Sequence, residues 1–270
     1  MTHFANTMPG PTPTFRRRIV IASHGQGTST LVRAAVEDDF HHFRVEVRCS
    51  GGQVEHVSGE APRHPYTLCK SATAELTRLV GMPLSTTAHE VTRFTDATEQ
   101  CTHLLDLAGL AIAAAARGTT NRLYDIEVPH RLEHGRTHPR LWRDGTLLLE
   151  WDVADATIEG PAPYAGINLR HGMARWALST LPAEEAEAAL VLRRATVISV
   201  GRTKNLDAQV HAVANGSCFA HQPRRAEQAL RVVGSTLDFS ASGEPLCAAD
   251  RSWLRERSPD SGCPAPPDRG

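Results

Sequence analysis

Lysine is nearly missing from this chain: of 29 basic residues only Lys70 and Lys204 are lysine, and the formal net charge is -1. Without a cationic excess the chain is not built to grip a phosphate backbone, and nucleic acid is excluded as a partner. Long hydrophobic runs are missing too. No apolar stretch approaches the roughly 20 residues of a membrane span. Ile19-Val-Ile-Ala22, behind Arg16-Arg-Arg18, is too short for a signal-peptide core. The sequence therefore reads as soluble and cytoplasmic, with no membrane partner. Cysteine is sparse, six in 270 residues, which is too few for a disulfide framework. No CxxC pair is present, so the strongest zinc signature is absent, and in a reducing compartment the cysteines are thiols or ligands. His24-Gly-Gln-Gly27 has no Lys-Ser/Thr behind it and makes no phosphate loop.

What remains is a chain with an ordinary apolar fraction, large enough for one big core or two modest ones. Residues 1–15 read as a flexible tail. Arg16–Ala22 has the β-branched content of a strand. From Leu31 to Val47 apolar residues alternate with polar ones, the period of a half-buried strand. Ser50-Gly-Gly52 turns the chain, and Gln53–Val57 returns. After the break at Arg63-His-Pro-Tyr66, helical spacing runs from Cys69 to Gly81, and again, more strongly, from Cys101 to Gly118. Past that point Leu123–Val128, Leu147–Val153 and Ala156–Glu159 read as strands. Helices are expected over 167–178, 183–199 and 223–233, and residues 240–270 as a disordered tail. The spacing predicts an α+β protein whose N-terminal antiparallel sheet with packed helices spans 16–118. A second α+β region, 119–239, is expected to cover a site on the first.

That site is sought where thiols, imidazoles and carboxylates recur at element starts. Cys69 and Cys101 each open a helix, where the dipole's positive end favours thiolate. His103 and Asp106, three apart on a helix, share a face, so Asp106 is placed to fix the tautomer of His103. The run Glu37-Asp-Asp-Phe-His-His42 adds Glu37, Asp39, His41 and His42. His41 and His42 point to opposite sheet faces, so one at most joins a given site. Arg63 and Tyr66, just before Cys69, are further candidates for its lining. Cys218 and His221 form a weaker pair, and Arg193-Arg194 reads as a solvated helix face. The arm carrying His130, His134 and His138 reads as a loop.

The hairpin, Asp39 before Phe40–Val47, Cys69-Lys-Ser-Ala72 through Gly81, and Cys101 with Leu104 and Ala108 together resemble the U-type iron–sulfur cluster scaffold (IscU/NifU-like) family over residues 31–118. The resemblance implies that fold and a metal or cluster held by Asp39, Cys69 and Cys101. The scaffold's first cysteine is replaced by Glu37, and the histidine before its last cysteine by Gln100, while His103 lies two residues beyond. The run Cys101-Thr-His-Leu-Leu-Asp-Leu107 also resembles a bacterial family catalogued only as a domain of unknown function. That likeness covers most of the chain and implies no activity.

Three functions follow as expectations. The first is a small-molecule enzyme of lyase, isomerase or hydrolase type. It would use a zinc or iron ion at Asp39, Cys69, Cys101 and His103, with His103 and Asp106 available for acid–base work. The second is an iron–sulfur cluster or metal carrier. The third is a metal-free cysteine nucleophile, Cys69 or Cys101, assisted by His103 and Asp106.

Overall fold

The structure, a computed structural model, describes residues 13–26, 29–132 and 135–256. Seven antiparallel strands form one sheet in the order β4-β3-β2-β1-β5-β6-β7. They are β1 (Thr14–Gln26), β2 (Ser29–Asp38), β3 (His42–Ser50), β4 (Gln53–Arg63), β5 (Asn121–Pro129), β6 (Arg140–Arg143) and β7 (Thr146–Glu150). A small hairpin of β8 (Asp152–Ala154) and β9 (Thr157–Gly160) follows. β1, β3 and β4 take in the expected strands and the hairpin at Ser50-Gly-Gly52, while the alternation from Leu31 to Val47 is broken between Asp38 and His42 into two strands, β2 and β3.

Register puts the apolar residues of successive strands on one face. Ile19 pairs with Val36, and Val36 with Phe43; Ile21 pairs with Ala34, and Ala34 with Val45. β5 adds Ile126 opposite Arg17 and Tyr124 opposite Ile19. Because strand side chains alternate, these residues all face the same layer of helices, and all but Arg17 are apolar or aromatic.

The boundary expected at 118/119 falls inside this architecture: β5, β6 and β7 extend the same sheet on the far side of β1. The α+β class stands, with one antiparallel sheet shared by both halves of the chain.

The helices are α1 (Val91–Phe94), α2 (Thr102–Arg117), α3 (Met173–Thr180), α4 (Ala183–Ile198), α5 (Pro223–Ala226) and α6 (Arg251–Arg255). α2 starts after Cys101 and ends at Gly118, whose φ of 68° is the left-handed conformation glycine adopts at a helix end. It lies on β1, β2 and β3, and its sides are buried too, from Leu104 through Ala114 with Asp106 excepted. Alanine and glycine make this closeness achievable: a methyl on Gly109 would lie 2.2 Å from the carbonyl oxygen of Ala88. The stretch from Cys69 is a 3-10 helix, Thr67–Leu79, resting on β4. α4 packs over β5, β6 and β7, beside α2's end of the sheet. Among the described residues no helix is long and apolar enough to cross a membrane.

Residues 240–256, expected as part of a disordered tail, instead cover the opposite face of the sheet. Cys247 and Leu254 pack on Ala22 and Ala35. Asp250, fully buried, accepts hydrogen bonds from Nε2 of His42 (2.9 Å) and Nε of Arg44 (2.5 Å). Arg33 donates to the carbonyls of Trp253 and Glu256. The guanidinium groups of Arg33 and Arg44 lie 5.3 and 5.4 Å from the Trp253 ring centre. The composition of this segment is polar because its anchorage is ionic, and a polar composition alone reads as disorder. Residues 257–270, with Cys263, lie outside the described residues, as does His134.

Gly109→Ala is expected to destabilise the protein by about 1–3 kcal/mol, since the methyl meets backbone rather than a movable side chain. Urea unfolding of the variant beside the parent checks this; an unchanged midpoint would show that α2 and the 88–91 segment are not closely apposed.

Candidate functional site

The β2–β3 connection is the tight turn Asp38-Asp-Phe-His41, and a single carboxylate organises it. Oδ1 of Asp38 accepts from the backbone N–H of Phe40 and of His41, each at 2.8 Å. Side chains of Asp favour this geometry because they replace a backbone acceptor two or three residues ahead. The same oxygen accepts from Nδ1 of His41 at 3.1 Å. Oδ2 accepts from Arg17 through Nε (2.8 Å) and Nη2 (2.5 Å). Arg17 and Asp38 are the matched pair of the β1–β2 register, with side chains only 3% and 0% exposed. Burial by itself would favour the neutral acid. Arg17, with His41, more than reverses that and holds the carboxyl well below the usual carboxylate range. With Asp38 ionised and acceptor-only, Nδ1 of His41 carries the hydrogen and Nε2 holds the lone pair.

His103, in the first turn of α2, stacks on His41 with ring centres 3.9 Å apart and planes 29° from parallel. Phe43 packs against both rings. Nε2 of His103 is shielded from solvent and has no hydrogen-bond partner among the described residues. Burial, then the His41 ring and Arg17, hold the His103 pKa well below its ordinary 6.5. Burial also lowers that of His41, with Asp38 opposing. Both rings are therefore neutral at neutral pH. Among the described residues, Asp38, His41 and His103 are the one group of three or more Cys, His, Asp or Glu whose ligand-type atoms all lie within 4.8 Å of one another.

Of this cluster His103 alone reaches the wall of a cleft between the sheet, α2, the 87–91 segment and α4. The cleft is narrow, with a volume of about 70 Å³, and is partly open to solvent. Ile19, Val36, Val91, Leu107, Leu110, Leu178, Leu190 and Val191 make its apolar wall. Arg17, His89, His103, Asp106, Glu187, Arg193 and Arg194 supply the polar groups.

The expected site residues divide accordingly. His41 and His103 meet, and the acid that joins them is Asp38 where Asp39 was expected. Asp39 turns the other way: its carboxylate receives Arg202 and the N–H of Phe239. Asp106 does not orient His103, because Arg194 takes it, with Nε 2.6 Å from Oδ2. Glu37 binds Arg63 and the N–H of Cys247, and His42 binds Asp250, so both serve the reverse face of the sheet. The opposite orientations of His41 and His42 are as expected. Arg63 donates to the carbonyls of Asp38, Asp39 and His41, tying the turn from outside. Tyr66 lies elsewhere, its hydroxyl donating to Gln209 at 2.6 Å.

Cys69, Cys101 and Cys218 are close enough to raise one another's pKa, but burial is the larger cause. It pushes Cys101 up to about 12, and Cys69 further. The thiolate-favouring effect expected at a helix start is therefore overruled, and these thiols are apolar packing groups. They do not share a ligand sphere with His103.

Sequence reasoning passed over four residues. Asp38 was recoverable from turn chemistry, as an Asp followed at the third position by the first residue of a new alternation. Arg17 carried no local signal. Arg193 and Arg194, expected on a solvated face, line the cleft, Arg194 reaching Asp106 of α2.

Residues 22–117 match the model of a family described as "Protein of unknown function (DUF2889)". The match takes in the end of β1 and all of β2, β3, β4 and α2, and so includes Asp38, His41 and His103. No curated protein matches the chain.

Folded-state histidines that stay neutral bind fewer protons than their unfolded counterparts, so stability should begin to fall as pH drops below about 6.5. A second loss should follow below about 4, where the unfolded carboxyl takes up a proton that folded Asp38 refuses. His103→Gln should flatten the first step in urea-unfolding curves taken across this range. Asp38→Asn should remove the second and cost about 3–5 kcal/mol near neutrality by leaving buried Arg17 unpaired. A pH-independent midpoint between about 7 and 5 would contradict the neutral, buried state of these rings.

Proposed function

We propose that the chain is a small-molecule enzyme whose chemistry occurs at the His103 end of the apolar cleft, with His103 as the group that takes and returns a proton. The observation carrying this reading is the lone Nε2 of His103, shut away from water and without a partner among the described residues, on the wall of a narrow apolar cleft. A buried ring nitrogen without a partner costs free energy that only a ligand, ion or trapped water recovers. Asp38 holds His41, and His41 holds the His103 ring by stacking, so the base is positioned through two rigid contacts. Substrate would lie along the aliphatic wall. Lyase, isomerase or hydrolase chemistry is consistent with a single neutral base.

A zinc or iron ion at Asp38, His41 and His103 is the second reading, favoured by the convergence of their ligand atoms. The donor set fits poorly. Both oxygens of Asp38 are already committed to Arg17, His41 and the turn amides, and the nearby guanidinium repels a cation. In that reading the metal would supply Lewis acidity to a bound substrate. An iron–sulfur carrier would need thiolates at Cys69 and Cys101, and burial disfavours them.

Incubation of the purified full chain with a small-metabolite extract, followed by untargeted mass spectrometry, is expected to reveal a compound consumed by the parent protein. His103→Gln should slow that consumption by about 10²–10⁴-fold, the usual contribution of a positioned acid–base group. An extract left unchanged by the parent, or equal turnover by the variant, defeats the proposal. Elemental analysis of the untagged protein separates the two readings: near-stoichiometric zinc or iron, lost in His103→Gln, selects the metal.

A further inference from the structure

Thiols from three distant parts of the chain gather near the start of α2. Cys69, Cys101 and Cys218 act on one another electrostatically, and Cys218 packs against the cluster that holds Tyr66 and Cys69. In the reduced protein they are apolar neighbours. Their exposure differs, however: of the five cysteines among the described residues, Cys218 alone is not buried. A thiol that solvent reaches thus lies beside thiols that it does not.

Backbone contacts hold Cys218 against Cys101. The N–H of Phe219 donates to the carbonyl of Gln100 at 3.0 Å, so the peptide that follows Cys218 is bonded to the peptide that precedes Cys101. Standard peptide dimensions then put the two Cα atoms about 4.5–6.5 Å apart however the peptides are rotated about that bond, inside the roughly 4.4–6.8 Å that a disulfide bridges. The two segments are tied again on either side. Nε2 of Gln222 donates to the carbonyl of Thr98 at 2.7 Å, and Arg225 pairs with Glu99 at 3.0 Å. Cys69 shares the cluster, but among the described residues no backbone hydrogen bond joins it to Cys218 in this way. Each member of the pair also precedes a helical turn, Cys101 that of α2 and Cys218 the 3-10 turn Phe219–His221. Burial raises the pKa of the Cys218 thiol, while the N–H groups of His221 and Ala220 and then the Arg194 guanidinium favour its thiolate.

We infer that Cys218 and Cys101 are a peroxide-responsive pair, joined by an intramolecular disulfide when the protein is oxidised. The Cys218 thiolate attacks hydrogen peroxide and takes one oxygen to become a sulfenic acid, while the other oxygen leaves as hydroxide and is protonated to water. The Cys101 sulfur then displaces the hydroxyl from Cys218. The S–S bond forms as the S–O bond breaks, and the Cys101 proton leaves with the hydroxyl as a second water. The two thiols together lose two electrons, and one peroxide becomes two waters. Burial keeps Cys101 from meeting the oxidant itself but not from reaching its neighbour. The inference is independent of the chemistry proposed for His103, although the bond would fix the residue two positions before it.

The test is hydrogen peroxide added to the full chain, then unfolding in an alkylating reagent and peptide mass spectrometry without reductant. A Cys101–Cys218 cross-linked peptide is expected, lighter than its two thiol peptides by two hydrogen atoms and abolished by dithiothreitol. The alkylatable thiols should fall by two from the six of the reduced chain. The urea midpoint of the oxidised chain should rise, because the bond closes a long loop in the unfolded state. Cys218→Ser, a change at a half-buried position, should leave Cys101 free to alkylate after the same treatment. Cys101→Ser should instead leave a sulfenic acid on Cys218 that dimedone captures. The inference is overturned if peroxide leaves both thiols of the parent free, links Cys218 to Cys69 or to a second chain, or carries Cys218 to a sulfinic acid without a cross-link. An oxidised chain less stable than the reduced one would overturn it too, since the pair would then not fit a disulfide as the backbone places it.

Discussion

The Asp38 carboxylate is the constraint on which the rest of this molecule depends. It is completely buried, and it repays its desolvation only because five donors reach it at once: two amides, an imidazole and two nitrogens of Arg17. Those donors come from β1, from the turn and from the residue leading into β3. The ion pair therefore sets the β1–β2 register at its most buried point, closes the β2–β3 turn and points His41 at α2. A buried ion pair is weak evidence for stability in itself, but here it specifies position. Shifting either strand by one residue would carry Arg17 or Asp38 to the other face of the sheet, leaving its partner charged and alone.

From this anchor the site is a chain of decreasing rigidity. Asp38 is held by covalent neighbours and an ion pair, His41 by one hydrogen bond and a turn, and His103 by stacking and by the first turn of a helix. Opposite stands α4, which brings Arg193 and Arg194 from nearly a hundred residues further on. The cleft thus has one wall from the stretch matched by the family of unknown function and another from outside it. A protein carrying the matched stretch with a different second half would keep the imidazoles and lose the guanidinium groups.

How much of this was legible in the sequence follows from the range of each interaction. Strands β1 to β4 and helix α2 announce themselves through alternation, glycine turns and helical spacing, all of which act over a few residues. The 37–42 and 101–106 segments, which meet through His41 and His103, stood out for the same reason, since their polar residues interrupt otherwise apolar patterns. The choice between Asp38 and Asp39 was not, because both are acidic and adjacent, and only the turn decides which one faces inward. The cysteines misled. Their position at helix starts indicates reactivity, whereas their burial, a tertiary property, makes them inert. Residues 240–256 were unreadable because their anchors, Asp250 on His42 and Cys247 on Ala35, join segments some two hundred positions apart.

The strand order has a kinetic consequence. β1 to β4 form a meander whose neighbours are joined by short turns, so their pairing closes small loops and is cheap in chain entropy. β5 must cross to the free edge of β1 after about a hundred intervening residues, and β6 and β7 can join only once β5 is seated. Until then β1 presents an unpaired edge of thirteen residues, the kind of edge that recruits a strand from another molecule. The pairing of β5 with β1 is thus the longest-range step in assembling this sheet, and the one that closes the edge of β1 to strands of other molecules.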